Sequence, residues 1–329
     1  MSARREKIRF STGIHILGPC ADRFVSSGYK DEKDIADMIQ AVGQVEELDG
    51  VELILGVHVS TSTVDKVKRM LEDAGLQVSL VLPDLFVDRK WSKGSFTSTN
   101  ETTRKTAIGE VKESMDIAAH LGCSLVNVWC GHDGFDYSFQ ANYDLAWDQL
   151  VQGVRECCDY RRDVKVAVEY KIKEPRTHLF IGTVGKCLLL LDAVKRENTG
   201  VVLDIGHALF AYENPAESAV LLDKFGNKLS HLHLNDNYRY WDDDMMPGSV
   251  HTVEYLELLY WLNHIGYNGW YSLDIFPYRE NGIEAARESI HFMKTLLLAV
   301  DKVSPERIQE VVMKGDAVEG MKLVEEMLS

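Results

Sequence analysis

The 329-residue chain is poor in positive charge. Thirty-six lysines and arginines face 51 aspartates and glutamates, for a formal net charge of −15. A nucleic-acid surface needs clustered basic residues, so that balance argues against it, and it weakly disfavours anionic membranes. Long apolar runs are also missing. No stretch approaches the roughly 18–20 residues that cross a bilayer, so no membrane association is expected. The opening MSARREKIRF lacks the apolar core of a signal peptide, and the expected location is the cytoplasm. The six cysteines (Cys20, Cys123, Cys130, Cys157, Cys158 and Cys187) include no CxxC pair. They read as reduced thiols, mostly core filler, and not as a zinc ribbon or disulfide frame. There is no low-complexity linker, and no internal repeat beyond a strand–helix alternation.

What the chain does have is a 45% hydrophobic content, enough for a sizeable core, arranged as eight β/α units. Strands are expected at Lys7–Gly13, Gly50–Leu55, Val78–Leu82, Ser124–Trp129, Val164–Tyr170, Val201–Ile205, Leu229–Leu234 and Trp270–Ile275. Helices are expected at Asp31–Leu48, Thr61–Ala74, Asn100–His120, Tyr143–Tyr160, Thr183–Glu197, Ala216–Phe225 and Val253–Ile265. Gly75 stands where it would cap the second helix. Eight units in about 300 residues predict an α/β fold, a (β/α)8 TIM barrel over residues 1–300. Two amphipathic helices in Ser304–Ser329 predict a C-terminal helical extension over 301–329.

Four of the apolar runs end in a metal-ligand type of residue. VAVEYK carries Glu169, GVVLDIGH carries Asp204, LSHLHLND carries His233 and WYSLDIF carries Asp274. A carboxylate has no place in a buried strand unless its charge is compensated. One such residue would be unremarkable beside a loop. Four in succession predict convergence on one divalent cation, where active sites of such barrels lie. Three carboxylates and an imidazole suit manganese first, with magnesium or cobalt as alternatives, better than a structural zinc.

Several segments are similar to motifs of the xylose isomerase-like TIM-barrel superfamily, over about residues 8–295. LFVDRKWSKGSFTSTNETTRKTAI (Leu85–Ile108) resembles the phenylalanine loop of xylose isomerases. VNVWCGHDGFDY (Val126–Tyr137) resembles their tryptophan strand, and VAVEYKIKEPR (Val166–Arg176) their Glu-x-Lys-x-x-Glu-Pro-Arg segment. DIGH (Asp204–His207) resembles the carboxylate-x-x-His of xylose and rhamnose isomerases. HLNDNYRYWDDD (His233–Asp244) resembles the rhamnose isomerase form. The same barrel serves C-glycoside deglycosidase large subunits and keto-sugar 3-epimerases.

The resemblance implies that Glu169, Asp204, His233 and Asp274 bind a first metal. It implies that Asp204 bridges toward a second, held by His207, Asp242 and Asp244. Lys171 would face the substrate carbonyl oxygen, with a salt bridge to Glu169 as the plainer reading. Phe86 and Trp129 would wall the sugar, with Trp241 a further stacking candidate. Arg279 would reach a hydroxyl or acid group, or else pair with Glu280 or Asp274 at the surface. His132, in CGHDG, is a candidate general base. His58 does not align cleanly with the ring-opening histidine of xylose isomerases, and His15 replaces a tryptophan. The expected activity is a metal-dependent aldose–ketose isomerase with catalytic Lys171, Glu169, His132 and His207, acting on a small sugar as a homo-oligomer. The alternatives are a 3-keto C-glycoside lyase subunit with a small partner subunit, a keto-sugar epimerase, or a non-catalytic sugar-binding barrel. Epimerases of this superfamily carry glutamates on both the fifth and eighth strands, whereas the eighth strand here ends in Asp274.

Overall fold

A computed structural model describes residues 7–329; residues 1–6, part of the expected barrel segment, lie outside the described residues. Eight parallel strands close into a barrel: β1 (Arg9–Gly13), β2 (Leu48–Ile54), β3 (Gln77–Leu82), β4 (Leu125–Trp129), β5 (Lys165–Glu169), β6 (Thr199–Asp204), β7 (Leu229–Leu234) and β8 (Trp270–Leu273). Each pairs with its neighbours in sequence, and β1 closes the ring against β8. The strands are near-continuous apolar runs, as expected where both faces are covered. Val166, Val201, Val202, Leu203, Leu232 and Leu273 are fully buried.

The helices outside the barrel are α1 (Ile35–Gly43), α2 (Val64–Asp73), α3 (Glu101–His120), α4 (Tyr143–Tyr160), α5 (Val184–Val194), α6 (Ile205–Phe210), α7 (Pro215–Lys224), α8 (Thr252–His264) and α9 (Gly282–Asp301). Most starts carry a side-chain cap. Asp34, Asn100, Asn142, Thr183 and Asn214 each accept from a backbone N–H of the first turn. Gly75 follows α2 at φ +70, the left-handed position glycine fills without strain.

Three elements differ from expectation. The first helix runs only from Ile35 to Gly43, because Asp34 caps it and the chain already pairs with β1 at Leu48. Ile205 belongs to α6 and not to the sixth strand: Asp204 ends the strand and caps the helix by accepting the His207 N–H at 2.8 Å. A short antiparallel ladder, Gly134–Phe135 with His178–Leu179, ties the loop after β4 to the loop after β5. Beyond α9, helices α10 (Pro305–Lys314) and α11 (Ala317–Leu328) bury Ile308, Val311, Leu323 and Met327, and α11 packs on α9. Among the described residues no helix is long and apolar enough to cross a membrane.

The loop from β7 to α8 is pinned by its own buried polar residues. The Asp236 carboxylate accepts from the backbone N–H groups of Asn237, Val250 and His251, at 2.9, 2.8 and 2.9 Å, and from His251 Nδ1 at 2.7 Å. Asn235 Oδ1 accepts the Gly206 N–H at 2.6 Å, and Asn237 Nδ2 donates to the Gly206 carbonyl at 2.9 Å. A Cβ at Gly206 would lie 2.5 Å from Asn235 Oδ1, so only glycine permits this stitch between the loop and the first turn of α6. Asp236→Ala would orphan several buried donors, each costing about 1–3 kcal/mol. The variant is expected to lose at least about 2 kcal/mol in chemical denaturation; a loss under about 0.5 kcal/mol would show that the loop holds without this anchor.

Candidate metal centre and active site

Strand register brings the four predicted ligands together. Glu169 and Asp204 are the last residues of β5 and β6, His233 lies one residue from the end of β7, and Asp274 follows β8 directly. Asp204 pairs with His233 across β6 and β7, and His233 pairs with Ser272 across β7 and β8. One ligand atom from each of Glu169, Asp204, His233 and Asp274 lies within 4.8 Å of all the others. His233 Nδ1 is 3.5 Å from Glu169 Oε1, 3.7 Å from Asp204 Oδ2 and 3.2 Å from Asp274 Oδ2.

The donor set fits a divalent cation. Each ligand is gripped from behind by a neighbour. Asn127 Nδ2 donates to Glu169 Oε2, Asn235 Nδ2 donates to Asp204 Oδ2 at 3.1 Å, and His15 Nε2 lies 3.2 Å from Asp274 Oδ1. His233 Nε2 is 3.2 Å from Glu52 Oε2. With that ring proton directed to Glu52, the other nitrogen, Nδ1, is buried with no hydrogen-bond partner and faces three carboxylates. A lone pair aimed at anions is repulsive unless positive charge sits between them. Without a cation the site must protonate instead. Burial, with Asp242, Glu169 and Asp274 nearby and His207 opposing, pushes the Asp204 carboxyl up to about 7. Burial lowers the His233 pKa, but Glu52, Glu169 and Asp274 outweigh it and raise it well above the ordinary histidine range.

A second polar chain runs beside the four ligands. Lys171 Nζ is 2.6 Å from Asp242 Oδ2 and 3.4 Å from Glu174 Oε2. Its partners are therefore Asp242 and Glu174 and not Glu169. His207 Nε2 is 3.0 Å from the same Asp242 oxygen, and its Nδ1 is 3.2 Å from Glu169 Oε1. Burial raises the Asp242 pKa, yet Lys171 and His207 together hold it below the usual carboxylate range. Burial lowers the His207 pKa, but Asp204 and Asp242 lift it to about 9. Asp244 does not touch His207; its Oδ1 accepts from Asn235 Nδ2 at 3.2 Å. Asp243 faces away and accepts the Tyr238 N–H.

The aromatic candidates separate into two groups. Phe86 and Trp129 meet edge to face at 4.6 Å, and Lys171 Nζ lies 5.3 Å from the Trp129 ring centre. Trp241 turns outward beneath Arg23, and Arg279 lies exposed over Tyr29. His132 Nε2 is 3.0 Å from the Phe86 carbonyl, which leaves its buried Nδ1 without a protein partner. His15 stacks on Phe276 at 4.8 Å. Sequence reasoning passed over Glu52, Asn127, His231 and Asn235. Glu52 and His231 carry the same signal that marked the ligands, a titratable residue inside a buried strand.

Residues 19–296 match the family described as xylose isomerase-like TIM barrel. The chain belongs to that family. Xylose isomerases from Thermus thermophilus and Thermus caldophilus are each 29% identical over 249 residues, 73% of this chain. The match spans 63% of those relatives' own length. Among solved structures, a D-tagatose 3-epimerase-like protein aligns with a TM-score of 0.68 at 20% identity, covering 89% of this chain and 98% of its own. A 3-keto-D-glucoside 4-epimerase from E. coli aligns at 0.66 and 16%, covering 88% and 100%. D-psicose 3-epimerase from Clostridium cellulolyticum H10 aligns at 0.68 and 16%, covering 88% and 99%. At these identities the structural matches show the fold of this family member and nothing finer.

His58 has a checkable consequence. Its Nδ1 accepts the Ile54 N–H at 3.0 Å, so the ring is no free base there. Burial, with His15 adding to it, pushes its pKa down to about 3. The unfolded chain takes up that proton near pH ~6.5. The stability that neutral His58 contributes is therefore complete above ~6.5 and lost as pH falls toward 3. At pH 5 the loss amounts to about 2 kcal/mol, at 1.36 kcal/mol per unit. His58→Gln keeps an acceptor for Ile54 and is expected to flatten unfolding free energy against pH by that much between ~6.5 and 5. Equal slopes in both proteins would contradict a buried neutral His58.

Proposed function

We propose that this protein is a metal-dependent sugar isomerase that interconverts an aldose and a ketose. The observation that carries the reading is the buried ammonium of Lys171, held by Asp242 beside the four-ligand cluster. Glu169, Asp204, His233 and Asp274 would hold the cation, manganese first and magnesium or cobalt as alternatives. Bound there, it would polarise a carbonyl and the neighbouring hydroxyl oxygen. The chain's own residues do the rest. Trp129 and Phe86 offer an apolar wall for a sugar face. Lys171 Nζ, already stripped of water, can donate to the oxygen on which negative charge develops, where such a donor is worth most. His207 and Asp242 fix where that ammonium stands. The sugar isomerase and epimerase names of the relatives agree with this class of substrate. A second cation on His207, Asp242 and Asp244 would have to displace Lys171 and the His207 ring proton from Asp242.

His132 favours a second reading. Directing its Nε2 proton to the Phe86 carbonyl leaves Nδ1 as an unprotonated nitrogen without a protein partner. A base at that point serves epimerisation beside a ketone, or elimination from a 3-keto glycoside. Turnover in D₂O separates the two. Hydrogen moving between adjacent carbons without deuterium uptake fits the isomerase. Stoichiometric uptake, abolished in His132→Ala, would replace it by a proton-transfer route. No turnover of any free aldose or ketose would sink the isomerase reading, and 3-keto glycosides would be tested next.

Two further outcomes are expected. Chelation should remove activity and lower the Tm, since a cation that binds only the folded site stabilises it by mass action; full activity in metal-free protein would refute the metal role. Lys171→Met should cost about 2–4 kcal/mol, because it leaves the buried Asp242 carboxylate with His207 as its remaining partner. The double variant Lys171→Met with Asp242→Asn should recover most of that stability while turnover stays about 10²–10³-fold down. Activity that returns with stability would make Lys171 structural.

A further inference from the structure

We infer that Glu52 is a positioning residue for this centre: by accepting the Nε2 proton of both His231 and His233, it fixes the His233 tautomer and turns the Nδ1 lone pair toward Glu169, Asp204 and Asp274. The inference rests on the metal-binding reading proposed above.

Glu52 projects from β2 into the barrel interior and is 4% exposed. Two strands, β1 and β8, separate β2 from β7 around the ring, so the contact crosses the interior. Glu52 Oε1 is 2.7 Å from His231 Nε2, and Oε2 is 3.2 Å from His233 Nε2. Residues 231 and 233 share one face of β7, and their rings meet edge to face at 5.4 Å. A carboxylate can only accept, so both imidazoles present a proton to it. A histidine whose Nε2 proton is so committed keeps its lone pair on Nδ1, the nitrogen facing the other three ligands.

The ligand atoms of Glu52, His231 and His233 are themselves close enough to surround a cation. That arrangement is disfavoured by the shared residue. A cation at His233 Nε2, together with one at Nδ1, would require the ring to lose both protons. The trio is a hydrogen-bonded unit beneath the centre. His231 occupies the second carboxylate oxygen, so Glu52 is not left with an unpaired oxygen in the core.

The test uses the full chain, Co²⁺ or Mn²⁺, and a competing chelator. Glu52→Met removes both acceptors and is expected to weaken cation binding about 10–100-fold, the usual effect of losing such a partner. Glu52→Gln keeps one carbonyl oxygen for His233 and should recover most of the affinity without restoring the charge. Melting of the metal-free proteins checks that each variant is folded. A folded Glu52→Met with wild-type affinity would overturn the inference, as would a Glu52→Gln no better than Glu52→Met. Should Glu52→Met fail to fold, ¹⁵N histidine spectra of the Mg²⁺-loaded wild type decide. A proton on His233 Nε2 supports the inference, and a proton on Nδ1 overturns it. Wild-type protein that binds no divalent cation would instead remove the metal reading beneath it, an outcome distinct from any of these.

Discussion

Negative charge concentrated at the C-terminal end of the barrel is the constraint around which the other polar residues are arranged. Two buried carboxylates, a half-buried one and one imidazole lone pair meet within a few ångströms, at the ends of four adjacent strands. Like charges at such spacing in a poorly solvated place repel strongly. The fold cannot relieve that repulsion by turning the side chains outward, because the strand register fixes their direction. A cation there would relieve it, and protons on Asp204 and His233 do so in part without one.

The surrounding residues turn this crowding into a shaped site. Asn127 and Glu52 each bond one atom, of Glu169 and His233 respectively, and leave the other aimed inward. His15 stands beside one oxygen of Asp274, and Asn235 and the His207 N–H fix both oxygens of Asp204. Asn235 also belongs to the stitch that locks the loop after β7 onto Gly206. The same loop carries Asp242, which anchors both Lys171 and His207. Ligand orientation and lysine placement are therefore set by one stretch of chain, and a shift of that loop would disturb both together.

Much of this was legible in the sequence. The eight strands announce themselves as short apolar runs, and a carboxylate at the end of such a run has few explanations other than a compensating partner. The resemblance to sugar isomerases singled out Lys171, Phe86, Trp129 and the acidic run around Asp242, which the structure places near one another in part: Phe86 against Trp129, and Lys171 on Asp242. The helix α6 was hidden because Asp204 is at once strand end, helix cap and candidate ligand, and the apolar residues after it read as more strand. Glu52 and His231 were missed for another reason. They sit within runs rather than at their ends, and nothing local shows that residues more than 170 positions apart meet across the barrel interior. The direction of Trp241 and Arg279 was equally unreadable, since loop conformation decides which way a rim side chain turns.

The two routes open to such a centre differ in which groups are free to take a proton. Asp274 is not such a group: one of its oxygens is beside His15 and the other beside His233. Its side chain is one methylene shorter than a glutamate, so reaching toward a substrate carbon would mean breaking both contacts. Glu169 is held by Asn127 and faces two histidines. A pair of opposed carboxylate bases, the arrangement that epimerisation at one carbon calls for, therefore has no free member on the eighth strand. Lys171 keeps its proton: burial alone would loosen it, but Asp242, Asp244 and Glu174 outweigh burial and hold the ammonium charged, a hydrogen-bond donor and not a base. On the proposed isomerase reading, the fixed Lys171 ammonium and the tied carboxylates would serve to polarise an oxygen, whereas the uncommitted His132 nitrogen is what the proton-transfer alternative would use.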